Sequence, residues 1–220
     1  VPDFSVPPIP ISIYSGSSFQ TIYNPESPSF PMVCLSGSDG NFYLSSHWPL
    51  DTPGCWRIIK AGNDFQWLYG SPFQWIAGYL FSMDKDHHIR RFPLPAGMED
   101  LSGSWEMLPV TEFKVSHFKV VASAQIFQVI AQSAEGGLWS LFLQAAAAQN
   151  VWVRIGASTD FRAGDNNFCC VSSTSEQVHL FAAGIDNKLY SSPASGNWES
   201  PMSVVSPDSQ TFTTGSACFP

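Results

Sequence analysis

Four mostly apolar stretches of similar length recur along the chain: FPMVCLSG (30–37), WIAGYLFS (75–82), IFQVIAQS (126–133) and QVHLFAAG (177–184). Each runs into a short polar turn and then a second stretch of mixed apolar and polar residues, read as SDGNFYLSS, MDKDHHIRRF, AEGGLWSLFL and IDNKLYSS. Runs this short, joined by Asp, Gly and Asn residues that accept positive φ, predict tight antiparallel hairpins. A tryptophan follows each hairpin, and Trp56, Trp105, Trp152 and Trp198 lie 49, 47 and 46 positions apart. A second landmark keeps the same period. Nine residues before Asp39, Asp84, Glu135 and Asp186 stand Phe30, Trp75, Ile126 and Gln177, each opening its apolar run.

Every copy reads as four short strands. In the second these are FQWLYG, WIAGYLFS, HHIRRF and, from Trp105, WEMLPV. A four-stranded sheet of about 47 residues cannot bury both faces alone, so neighbouring copies must stack, and radial stacking gives an all-β β-propeller with four recognisable four-stranded blades. The helix-prone LQAAAAQN (143–150) falls between third and fourth strands and is expected to be a loop or a short helical turn. The four Trp residues are expected to fill the wedge between blades. The domain expectation is a Pro-rich N-terminal arm over 1–18 and one propeller domain over 19–220. TFTTGS and ISIYS are expected to close it, in the first blade or a composite fifth.

Composition narrows the partners. Ten Lys plus Arg against 18 Asp plus Glu give a net charge of −8, which repels a phosphate backbone, so no nucleic-acid partner is expected. No apolar run approaches the roughly 20 residues of a membrane helix. Charged residues make up only 13% of the chain, which favours a secreted protein, and it starts at Val1, as expected if a leader has been removed or was never included. Of the five cysteines, Cys169 and Cys170 are adjacent and would point to opposite faces of a strand, against a bond between them. Cys218 is expected near Cys34 or Cys55 if the termini meet.

Candidate ligand-binding residues are aromatic or basic. Trp48, beside His47, lies in a Pro- and Gly-containing loop; Trp67, Tyr69 and Trp75 belong to the most aromatic stretch, 64–81; Arg90 and Arg91 stand in an otherwise charge-poor chain. Aromatic faces suit stacking, and guanidinium groups suit hydroxyl or carboxylate anchoring. Two Asp and two His crowd 84–88, but adjacent His residues in a strand point apart, so no metal site is expected. No cofactor motif, G-x-S-x-G or metalloprotease helix occurs, which disfavours a hydrolase.

The D-(G/N)-x-(L/F)-(Y/W) phrase and the recurring Trp resemble the sugar-binding propellers of the tachylectin-2, tectonin and fungal fucose-lectin types, over about 85% of the chain. That resemblance implies a lectin-like protein that binds a glycan without altering it. The third strands NFYLSS, HHIRRF, GLWSLF and KLYSSP differ between copies, as do the residues after each Trp (Arg57, Glu106, Val153 and Glu199). One asymmetric site is expected in place of a repeated one. The alternative is a cofactor-independent enzyme with one apolar pocket for a small hydrophobic molecule. Such a cyclase, isomerase or pericyclase would resemble fungal propellers that promote hetero-Diels–Alder additions; its chemistry rests on shape and orientation.

Overall fold

The computed structural model describes residues 19–23, 31–37, 39–45, 55–60, 65–68, 71, 73–94, 101, 103–122, 127–143, 151–156, 161–164, 167–172, 178–194 and 203–204. They form four antiparallel sheets of four strands, each in simple up-and-down order, and no α-helix occurs among the described residues. Blade 1 is β1 (Phe19–Tyr23), β2 (Pro31–Ser36), β3 (Phe42–Ser45) and β4 (Trp56–Ile59). Blade 2 is β5 (Gln74–Ile76), β6 (Tyr79–Met83), β7 (Ile89–Pro93) and β8 (Glu106–Met107). Blade 3 is β9 (Val115–Ala122), β10 (Phe127–Ser133), β11 (Leu138–Phe142) and β12 (Val153–Ile155). Blade 4 is β13 (Phe168–Ser172), β14 (Val178–Ala183), β15 (Leu189–Ala194) and β16 (Ser203–Val204). The N-terminal arm, TFTTGS, Cys218 and most of 143–150 lie outside the described residues.

Two compact units divide the chain, Val1–Leu108 with blades 1 and 2 and Pro109–Pro220 with blades 3 and 4. The core of unit 1 joins Cys34, Phe42, Leu44 and Ile59 of blade 1 to Phe73, Leu80 and Phe92 of blade 2. The core of unit 2 joins Ile130, Leu138 and Ile155 of blade 3 to Phe161, Phe168 and Leu180 of blade 4. By strand register Cys34, Phe42, Ile59 and Leu80 match Ile130, Leu138, Ile155 and Leu180, so the two units repeat one blade-on-blade contact. Inner strands buried on both faces explain why the sequence shows apolar runs where a one-sided sheet would show strict alternation.

The hairpins joining second and third strands share one geometry. The amides of Gly37, Asp84, Ser133 and Gly184 donate to the carbonyls of Asn41, His88, Gly137 and Lys188 at 2.8, 3.0, 2.8 and 2.8 Å. The fourth turn residue, Gly40, His87, Gly136 or Asn187, has φ of 81°, 66°, 95° or 66°. This alignment corrects the expected one. Asp84 takes the place of Gly37 and Gly184, and Asp86 is the true counterpart of Asp39 and Asp186.

Two strand expectations also need correcting. WIAGYLFS is not one strand: Ala77 and Gly78, both at positive φ (49° and 76°), turn β5 back into β6 with Ile76 opposite Tyr79. Among its described residues FQWLYG contributes a bridge, Trp67 to Asp84, and Phe161 bridges Gly184 in the same way. Trp198 lies outside the described residues, and β16 begins at Ser203, five residues further on. Trp56 does open β4, while Trp105 and Trp152 immediately precede β8 and β12. The indole of Trp105 donates to Lys60 O at 3.1 Å and that of Trp152 to Pro109 O at 2.8 Å. Lys60 and Pro109 each stand four residues past the preceding tryptophan.

Candidate functional site

Of the six residues singled out from sequence, Trp48 and Tyr69 lie outside the described residues. Trp67 is a packing element of unit 1, with its ring centroid 4.6 Å from Phe42, 4.7 Å from Phe65 and 4.4 Å from Trp105, edge-on in each case. Among the described residues its buried Nε1 has no hydrogen-bond partner. Trp75 packs against the same core.

Adjacent in sequence, Arg90 and Arg91 point to opposite faces of β7 and do different things. Arg90 is buried: its Nε donates to Asp84 Oδ2 at 2.7 Å, and its guanidinium carbon lies 3.9 Å from the centroid of the Phe65 ring. Asp84, fully buried, also accepts from the amides of Asp86 and His88 at 3.0 and 2.9 Å. A buried carboxylate must be paired to persist, and Arg90 with two turn amides supplies that pairing. His88 Nδ1 stands 3.6 Å from the same Oδ2.

Arg91 faces the other way and is a quarter exposed. Its Nε donates to Glu106 Oε2 at 2.8 Å, and its guanidinium carbon lies 4.8 Å over the Tyr79 ring. The sheet register makes the set: Arg91 pairs with Glu106 on β8 and with Phe81 on β6, and Tyr79 projects from the same face of β6 two residues away. Side-chain exposures of 25% for Arg91 and 52% for Glu106 leave both reachable. Chemically the patch offers a carboxylate acceptor, guanidinium donors of which Glu106 uses one, and a flat ring. A vicinal pair of hydroxyls can accept from the guanidinium and donate to the carboxylate together.

The equivalent pairs elsewhere are Leu44 with Arg57, Ser140 with Val153, and Ser191 with Ser203. Only blade 2 therefore joins a cation to a carboxylate at this register. Glu199, the residue after Trp198, lies outside the described residues, and in blade 4 Ser203 takes this register. Sequence inspection alone did not join Glu106 to Arg91, although the residue after each blade tryptophan was a legible position.

No protein-family model and no curated protein sequence matches the chain. Solved structures do. Aleuria aurantia lectin in complex with alpha-methyl-L-fucoside is 13% identical, with a TM-score of 0.54 over 94% of this chain and 67% of that one. A triple arginine-to-alanine mutant of AofleA from Arthrobotrys oligospora is also 13% identical, with a TM-score of 0.53 over 88% of this chain and 58% of that one. The chain has a β-propeller fold. It spans 67% and 58% of the length of these two solved structures. No helix among the described residues is long and apolar enough to cross a membrane.

Proposed function

We propose that the chain is a secreted, lectin-like propeller that binds a neutral sugar without altering it, at Tyr79, Arg91 and Glu106 of blade 2. The carrying observation is the Arg91–Glu106 pair beside the Tyr79 ring, donor, acceptor and apolar face within one partly exposed patch. Because the two charges neutralise each other, the patch favours a polyol over a charged ligand. The likeness of fold to a lectin solved with a fucoside supports the class of ligand. A surface carried by Ser, Asn and Gln, with few charges, suits an exported protein.

The test is isothermal titration of the chain with methyl α-L-fucoside and with methyl glycosides of galactose, mannose and glucose. Binding of at least one at this patch, weakened about tenfold or more by Arg91→Ala and by Glu106→Gln, is expected from loss of charge-assisted hydrogen bonds. Wild-type affinity in both variants would overturn the assignment. Divergence of the other three registers implies one site of this type per chain.

A further inference from the structure

The blade-on-blade contact common to the two units is apolar in the first and polar in the second at matching positions. In unit 1, Leu44 of β3 and Phe92 of β7 are fully buried in it, and Trp75 of β5 packs against the same cluster. Unit 2 has Ser140, Ser192 and Cys170 at those places. Leu44 stands opposite Cys34 as Ser140 stands opposite Ile130; Phe92 and Trp75 stand opposite Leu80 as Ser192 and Cys170 stand opposite Leu180. Each exchange shortens the side chain. Ile130 in place of Cys34, and Phe142 opposite Gln128, return part of that volume. Protein interiors are packed to near-crystalline density, so what three large side chains fill in unit 1 has to be filled otherwise in unit 2.

Two buried glutamines say with what. Gln128 and Gln132 lie four residues apart on one face of β10, 1% and 0% exposed. The fold satisfies both ends of the Gln132 amide: Nε2 donates to Arg162 O at 2.8 Å, and Oε1 accepts from the Gly164 amide at 2.9 Å. At Gln128 it satisfies one. Nε2 donates to Ser140 Oγ, while the buried Oε1 has no partner among the described residues. Turning the amide over exchanges the two atoms and leaves the deficit. A buried acceptor kept from every donor is costly. Ser140, whose oxygen accepts from Gln128, still has a hydroxyl proton to give. A molecule that accepts from Ser140 and donates to Gln128 completes both. With Gln128, Ser140 and Ser192 at 1%, 0% and 4% exposure, only a very small one fits their seclusion.

We propose that unit 2 binds an internal water between blades 3 and 4, at Gln128, Ser140 and Ser192, in the space that Leu44 and Phe92 take in unit 1. Water both gives and accepts hydrogen bonds, and a buried one needs two to four polar partners, which these residues supply. The site involves none of Tyr79, Arg91 and Glu106, and stands or falls apart from sugar binding.

The experiment uses the whole chain, wild type and Ser140→Leu, the variant that installs the residue of unit 1. In nitrogen-15-labelled wild type, a rotating-frame Overhauser cross-peak from water to the Gln128 side-chain amide is expected. Oxygen-17 relaxation dispersion, which sees water and not hydroxyl protons, is expected to fall by about one internal water in Ser140→Leu. Xenon provides a third reading that needs no variant to fold. A hydrated polar site refuses it, so the methyl shifts of Val121 and Ile130 should stay fixed under xenon pressure, whereas a dry apolar void takes xenon up. No cross-peak at Gln128 in the wild type, dispersion unchanged by Ser140→Leu, or xenon-dependent shifts at Val121 and Ile130 would each overturn the water site.

Discussion

Arg90 and Asp84 form a buried ion pair, 2.7 Å from Nε to Oδ2, at a place where two other blades use a tyrosine and a carboxylate two residues further along. The glycines explain the exchange. A Cβ on Gly37 would lie 2.6 Å from Asp39 Oδ1 and from the Tyr43 ring; on Gly184 it would lie 2.4 Å from Asp186 Oδ1 and 2.6 Å from the Tyr190 ring. Turn carboxylate and side chain at the glycine position exclude each other, so blade 2 moves its acid to residue 84 and recruits a longer partner. Asp84→Ala should destabilise unit 1 by about 3–5 kcal/mol because it leaves Arg90 buried without its counter-charge. The double change Asp84→Gly with Arg90→Tyr, which lets Asp86 act as Asp39 does, should recover most of that loss in urea unfolding.

The Tyr43–Asp39 tie has a pH signature. The hydrogen bond to Asp39, with burial and the carboxylate charge behind it, pushes Tyr43 up to about 12. Unfolded tyrosine ionises near 10, so the stabilisation this hydroxyl carries is whole below about pH 10 and is lost as pH climbs toward 12. Asp39 behaves in the opposite sense: burial opposes its ionisation, but the Tyr43 hydroxyl and the Asn41 amides outweigh that and hold it below the usual carboxylate range. Its contribution is present above that range and disappears as pH falls through it. Tyr43→Phe should flatten the alkaline limb of a stability–pH curve and raise the Asp39 titration midpoint seen by NMR.

Gly136 permits the close passage of two blades. Its φ is 95°, and a Cβ there would lie 1.9 Å from the Phe161 carbonyl oxygen. Backbone cannot retreat as a side-chain tip can, so Gly136→Ala should cost about 3 kcal/mol or more, with strain in the left-handed conformation added to overlap. Gly40→Ala, at similar φ with nothing within 4 Å, serves as the control and should cost about 1 kcal/mol. Equal losses would remove the claim about Phe161.

Ala77 is a position where the chain tolerates strain without visible need. A two-residue hairpin with both φ positive favours Asn-Gly, and this one reads Ala-Gly. Ala77→Asn should raise the thermal midpoint, by about 1 kcal/mol of added stability.

What the sequence made legible was the rhythm. Trp56, Trp105 and Trp152 hold matching places at the start of the fourth strand, and Trp105 lies between Phe42 of blade 1 and Phe92 of blade 2. The misplaced features share a cause. With Asp at both 84 and 86, no local rule tells which carboxylate enters the turn; the answer depends on Arg90 six residues on and Phe65 beneath it. Ala77 is no turn signal, so WIAGYLFS read as unbroken. The Arg91–Glu106 pair spans fifteen residues and exists only once β7 and β8 are in register, while Gln132, whose amide clasps Arg162 O and Gly164 N at 2.8 and 2.9 Å, ties blade 3 to blade 4 through a residue that looks like any surface glutamine.

Cys34 and Cys55 are both wholly buried in unit 1, and burial drives the Cys34 thiol far above the range in which it would ionise. Sulfur in that state does not react with an alkylating reagent until the sheet around it parts. The half-buried Cys169 and Cys170 of unit 2 have no such seal. Among the described cysteines the molecule thus carries its own stopwatch: the slow modification of Cys34 and Cys55 counts openings of the N-terminal half.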